Sequence, residues 1–302
     1  MATNSTIESD HGLNVRMFIT GFALVLLYAI IITVLFRVGL SMALIIVLAV
    51  AAIFSQYFFS DKIAMFSMHA REVTPAQEPR LHQIVDRLCL LANMTKPRVG
   101  VAEIDIPNAF ATGRSPKHAV ICATRGVMNR LSDEELEAVL AHELSHVAHR
   151  DVAVMTIASG VGMLAGLVSR IAMWSTVFSG GGRSRNGQNI VLIEMATWLI
   201  SLVIYVIAFL LTMALSRYRE LAADRSGAIL IGKPSVLASA LVHITGDIGR
   251  IPRTDLRHAE GMNAFFFAPA LASGTAASLF STHPSLEKRL DQLNKLERQL
   301  NG

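Results

Sequence analysis

Four long apolar runs stand out along the chain and set its organisation. Met17 to Phe36 and Leu40 to Phe59 come first, parted only by Arg37-Val38-Gly39. Each is long enough for a helix to cross a bilayer, which takes ~20 residues. Tyr57, Phe58 and Phe59 close the second run with aromatic rings of the kind that settle at a membrane interface. The pair predicts a transmembrane helical hairpin over residues 17–60, behind an N-terminal tail of residues 1–16. A cleaved signal peptide would have a shorter apolar region and a small-residue cleavage site, with no second span directly after it. Val152 to Phe178 and Ile190 to Ser216 form a second apolar pair around the polar, glycine-rich Ser179 to Gly187. Arg170 and Glu194 are placed where their side chains can snorkel to an interface. The expectation is a second hydrophobic hairpin over residues 152–216, crossing the membrane or else lying against the catalytic domain.

The remaining stretches, 61–151 and 217–302, read as two parts of one water-soluble α+β domain with a small sheet, in a protein that is mainly α-helical. Leu81, Ile84, Val85, Leu88 and Leu91 recur at helical spacing, and Lys96-Pro97 ends that helix. Val99, Val101 and Ile104 alternate as in a strand, and Ala119 to Cys122 is a second strand candidate. Asp105 to Gly113, bounded by turn residues, reads as an edge strand or a loop. Ser132-Asp133-Glu134-Glu135 has the form of a capping box, which starts a helix carrying Leu136, Val139, Leu140 and Val147. Amphipathic helices are predicted over 217–231, 235–246 and 285–300, the last with a stripe of Leu286, Leu290, Leu293, Leu296 and Leu300.

Composition agrees with this division. The mean hydropathy is +0.47 and charged residues make up 17% of the chain, a combination expected of membrane spans attached to a soluble part. The net charge of +4 is spread out, with no basic block or interleaved aromatics that would suggest nucleic acid. Arg16, Arg37, Lys62, Arg71 and Arg80 lean towards a cytoplasmic location for everything after Phe59. Cys89 and Cys122 offer no disulfide framework.

The chemistry concentrates in His142-Glu143-Leu144-Ser145-His146. Histidines four apart project from one helix face and can bind one zinc ion through their imidazole nitrogens. Glu143 lies one position along, within reach of an attacking water as general base. A catalytic zinc takes a third protein ligand and keeps an open position. Glu220 suits that place, in a helical stretch where Asp224 follows one turn later to hold a ring N–H of a ligand histidine. His149, seven residues past His142, is poorly placed to close the tetrahedron. Glu220 and the histidines must share one side of the membrane, which two apolar segments between them allow.

Taken together, His142 to His146, Glu220-Leu221-Ala222-Ala223-Asp224, Asn108 to Gly113, and Thr282-His283-Pro284 with Arg289 are similar in kind and order to the HtpX family. These are bacterial membrane-bound metalloproteases of peptidase family M48, related to the CAAX prenyl endopeptidases. The resemblance implies a gluzincin-like catalytic domain facing the cytoplasm from a multi-pass position in the inner membrane. It implies one zinc per chain and a quality-control role under stress, with damaged or misfolded membrane polypeptides as substrates. It assigns Asn108, Ala109 and Phe110 to a cleft edge where substrate adds as a strand. It makes His283 a candidate for stabilising the oxyanion; Arg289 reads as structural. Self-cleavage is open to such a protease at its polar 179–189 loop. Two other readings stand beside this one: an intramembrane-cleaving zinc protease, and a non-catalytic membrane scaffold or chaperone holding a structural zinc. The acidic Ser132 to Glu137 is ill suited to begin a buried span, and structural zinc sites usually have four protein ligands rich in cysteine.

Overall fold

A computed structural model describes residues 11–37, 42–113, 115–151, 154–156, 158, 160, 166, 185–248 and 283–301. The chain divides into two compact units, Phe58–Ala153 with Ser216–Gly302, and Asn14–Tyr57 with Val154–Leu215.

The second of these is helical. Helices α1 (His11–Arg37) and α2 (Met42–Ser67) occupy the first two apolar runs. Leu24 and Leu27 of α1 bury themselves with Ala158, Ile204, Ala208 and Leu215. Phe18, Phe22 and Val25 are exposed, as are Leu199, Val203 and Val206. Exposed aliphatic and aromatic side chains in such numbers suit a lipid-facing surface. Among the described residues, one helix segment, Trp198–Ile231, is long and apolar enough to span a membrane, and Val15–Ile30 is a shorter apolar one. Most of the predicted apolar segment 152–178, the start of its loop and Thr282 lie outside the described residues.

The first unit is α+β. Strands β1 (Ala70–Glu72), β2 (Arg98–Ala102), β3 (Ala109–Thr112) and β4 (Val120–Thr124) form one sheet in the order β1-β2-β4-β3. The pairing is antiparallel for β1 with β2, parallel for β2 with β4, and antiparallel for β3 with β4. The segment left open between strand and loop is thus strand β3, at the sheet edge. The helices of this unit are α3 (Pro79–Ala92), α4 (Arg125–Arg130), α5 (Asp133–Ala148), the part of α6 (Arg185–Ile231) from Ser216 onwards, α7 (Pro234–Ile248) and α8 (Leu286–Asn301). Proline opens α3, and Asn93 closes it in a left-handed conformation at φ 49. The two-residue period of the strands separates two cores. Val99, Val101, Ala109, Ile121 and Ala123 face α3, α5, α7 and α8, while Phe110, Val120 and Cys122 pack with Ala64 and Met68 behind the sheet.

One boundary differs from expectation. α6 is a single helix of 47 residues, joining the apolar 190–216 to the amphipathic 217–231 and taking in residues 185–189 of the predicted loop. Ser216-Arg217-Tyr218-Arg219 contains no proline or glycine to interrupt the hydrogen-bond ladder. Leu91 and Leu300, at the ends of their apolar stripes, are exposed.

Candidate metal centre

The site is assembled on α5. The capping box forms: the Glu135 amide donates to Ser132 Oγ at 3.3 Å, and the Ser132 amide donates to Glu135 Oε2 at 3.1 Å. With its start fixed, and Leu136, Val139, Leu140 and Leu144 buried in the core, the helix holds His142, Glu143 and His146 at set positions. α6 brings the rest. Gly227 lets it approach so closely that a Cβ there would stand 2.8 Å from the His142 backbone nitrogen. Glu220 and Asp224 lie two turns and one turn before Gly227, on the same face.

His142 Nε2 and His146 Nε2 are 3.1 Å apart, and the Glu220 carboxylate lies 3.7 Å from the first and 3.5 Å from the second. The other nitrogen of each ring meets a carboxylate: His142 Nδ1 meets Asp224 Oδ1 at 2.9 Å, and His146 Nδ1 meets Asp151 Oδ2 at 2.5 Å. Carboxylates accept only, so each Nδ1 carries a proton. Both Nε2 atoms therefore face each other and Glu220, and something positive must lie between them: a shared proton or a cation. A cation suits these surroundings: the carboxylates of Glu143, Glu220, Asp224 and Asp151 gather about this point, against the guanidiniums of Arg219 and Arg289 and the His283 ring on Glu220. His142, His146 and Glu220, with ligating atoms all within 4.8 Å, are the two-nitrogen, one-oxygen set that zinc accepts while keeping a fourth position open.

Glu143 sits beside this cluster, nearly fully buried, with Oε2 accepting from the Ala111 amide at 2.9 Å. Burial pushes its pKa above the ordinary carboxylate value, and the nearby Glu220 charge adds to the rise, against the pull of His142 and His146. For His142, the carboxylates of Asp224 and Glu220 outweigh burial and carry the ring up to about 9, while burial draws His146 down.

The structure brings His142, Glu143, His146, Glu220, Asp224 and His283 together. His283 Nδ1 lies 2.9 Å from Glu220 Oε2. Arg289 grips Asp224 with two hydrogen bonds, Nε to Oδ2 at 2.7 Å and Nη2 to Oδ1 at 2.6 Å. The three edge-strand residues divide. The Thr124 amide donates to the Asn108 carbonyl at 2.9 Å, so Asn108, Phe110 and Thr112 turn their backbone groups towards β4. Phe110 buries its ring behind the sheet. Ala109 and Ala111 turn theirs to the open edge, where the Ala111 amide meets Glu143. Three contributors did not emerge from the sequence: Ala111, Asp151 and Arg219. For Asp151 the available signal was a carboxylate five residues past His146, just beyond the helix end.

A helix-borne pair of histidines, a glutamate from a second helix and a buried carboxylate against an edge strand define a metallopeptidase. Residues 75–297 match the profile described as Peptidase family M48, and the chain belongs to that family. It is 50% identical to Protease HtpX homolog 1 of Streptomyces coelicolor, over 98% of this chain and 96% of that protein. It is 49% identical to a Protease HtpX homolog of Moorella thermoacetica, over 97% of each. Its fold resembles the crystal structure of S. mikatae Ste24p, with a TM-score of 0.51 at 17% identity, covering 94% of this chain and 66% of that one.

Proposed function

We propose that the protein is a membrane-anchored zinc endopeptidase that degrades damaged or misfolded membrane polypeptides, with its catalytic unit on the cytoplasmic side of a bacterial inner membrane. The observation that carries this reading is the convergence of His142, His146 and Glu220 next to the buried Glu143. These three residues would hold the zinc. When bound, zinc supplies Lewis-acid chemistry, acidifying a water and polarising a scissile carbonyl.

Glu143 takes the proton from the attacking water and delivers it to the leaving amine. Its raised pKa suits both duties, since a carboxylate nearer neutrality returns a proton more readily. The Ala111 amide aims the Glu143 carboxylate and leaves its second oxygen for that proton. An extended substrate pairs with the open edge of β3 through the backbone of Ala109 and the carbonyl of Ala111, whose amide serves Glu143, flanked by Asn108 and Phe110, which support the strand from within. His283 donates to Glu220 through Nδ1, so it assists an oxyanion only when its ring carries both protons. The exposed apolar faces of α1 and α6 support anchoring, and the basic residues flanking the first hairpin support the cytoplasmic orientation.

The alternatives fit less well. Asp133 and Glu134 at the start of α5 are exposed and charged, unlike the entry of a buried span. Three protein ligands with a base beside them are the signature of a working site rather than a closed structural one. The test is zinc-dependent cleavage of casein, and self-cleavage, by chelator-treated protein in detergent. Glu143→Gln should keep its zinc and lose turnover by ~10²–10⁴-fold. Wild-type proteolysis by that variant would remove Glu143 from the mechanism.

A further inference from the structure

Each zinc-facing histidine is backed by its own aspartate, and each aspartate by its own arginine. For His142 the partners are Asp224 and Arg289. For His146 they are Asp151 and Arg219. We propose that Asp151 and Arg219 are positioning residues for the metal centre, holding His146 in the tautomer that turns Nε2 to the ion. This rests on the zinc reading above.

The geometry is specific. α5 ends at Ala148, and Arg150 adopts a left-handed conformation at φ 56. That conformation is unfavourable for an L-residue, so something must hold it. It turns the chain back so that the Asp151 carboxylate reaches the His146 ring. Arg219 then clamps Asp151 twice, through an ion pair to Oδ1 and through Nη1 to the Asp151 carbonyl at 3.2 Å. Arg219 is only 4% exposed. A buried guanidinium so close to a cation site is tolerable only with a carboxylate between them. Arg219 also precedes Glu220 directly, so one stretch of α6 sets a ligand and the clamp for another ligand's support.

Two consequences separate this role from simple structural support. Asp151→Asn keeps the shape, removes the charge that holds the Nδ1 proton, and leaves Arg219 uncompensated. Zinc affinity should fall ~10–100-fold, as for other residues that orient metal-ligating histidines. Removing both charges in Asp151→Asn/Arg219→Gln should cost no more than Asp151→Asn alone, because the second change relieves the repulsion left by the first.

The experiment uses full-length protein in detergent, stripped of metal. Zinc affinity is read by competition with a fluorescent chelator, and the visible spectrum of the cobalt-loaded protein reports ligand geometry without any activity measurement. The expected result is weakened zinc binding and an altered cobalt spectrum in Asp151→Asn, with recovery of part of the affinity in Asp151→Glu. Unchanged affinity and spectrum in Asp151→Asn would overturn the proposal, as would a double variant losing the product of the two single losses. Should Asp151→Asn not fold, Arg219→Gln decides: a several-fold loss of affinity supports the pair, and wild-type affinity overturns it. A wild-type protein that takes up no zinc would instead overturn the zinc reading beneath it.

Discussion

Gly227 offers the sharpest test of how the site is built, because two physical effects predict opposite signs for the same substitution. Gly227→Ala in the interior of α6 should stabilise the helix by ~1 kcal/mol on propensity alone. Against this, the added Cβ would meet the His142 backbone nitrogen at 2.8 Å, His142 Cα at 2.9 Å and the Ala141 carbonyl carbon at 3.1 Å. None of these can swing aside, since all are backbone atoms of a buried helix. Ordinary contact begins at 3.4 Å, so relief requires α5 and α6 to separate by at least about 0.6 Å. Glu220 and Asp224 move with α6, and His142 and His146 stay with α5. Zinc sites tolerate ligand displacements of only ~0.2 Å, so the separation is roughly three times what the site can absorb. Overpacking of this kind costs ~1–3 kcal/mol, which matches or exceeds the propensity gain. We expect Gly227→Ala to lose at least ~10-fold in zinc affinity and more in turnover, with a melting temperature unchanged or lower. Chelator competition and thermal unfolding in detergent measure both. Gly246→Ala is the control, since nothing lies within 4 Å of its added Cβ, and it should bind zinc normally. Wild-type zinc affinity in Gly227→Ala, or a raised melting temperature, would refute the close-contact argument.

Two further predictions concern the frame around the ligands. Arg289→Met should leave the Asp224 carboxylate buried and short of its guanidinium, costing ~3–5 kcal/mol of stability. Thermal unfolding with and without zinc checks this, and zinc should recover only part of the loss. Glu135→Ala should cost ~1 kcal/mol at pH 7 through loss of the capping box. Burial raises the Glu135 pKa, but hydrogen bonds from Ser239 and Ser132, with His243 nearby, outweigh it and hold the group below its ordinary value. A depressed carboxylate contributes stability above its unfolded pKa of about 4.3 and loses it as pH falls through the folded value. The stability difference between the variant and the wild type should therefore shrink in urea unfolding as the pH falls below about 4.3 and towards the lower folded value.

How much of this was legible beforehand depends on the range of the signal. His142, Glu143, His146, Glu220 and Asp224 announce themselves because helical spacing alone brings them to one face, and the capping box at Ser132 marks where that helix begins. Strand β2 shows in its alternation and β4 as a short apolar run, whereas β1, three residues long, is too short to carry a period. The continuity of α6 past Ser216 was hidden by a change of composition that is not a change of backbone. Asn108, Ala109 and Phe110 illustrate a different limit: a motif can identify an edge strand without revealing which residues face outwards. The register with β4 decides that, and it turns Ala109 and Ala111 outwards.

Asp151 and Arg219, and the partner though not the structural role of Arg289, are illegible for a related reason, and it bears on how the centre works. Each acts across a long stretch of chain, Arg219 on a carboxylate 68 residues earlier and Arg289 on one 65 residues earlier. No local pattern encodes such a contact. Both contacts converge on α6, which carries Arg219, Glu220 and Asp224 within six residues of one another and abuts the histidine helix at Gly227. Any displacement of α6 therefore acts at once on the third ligand and on the groups that hold both imidazoles. The same helix carries the long apolar segment earlier in its sequence, so these groups of the metal centre follow directly on that segment along the chain.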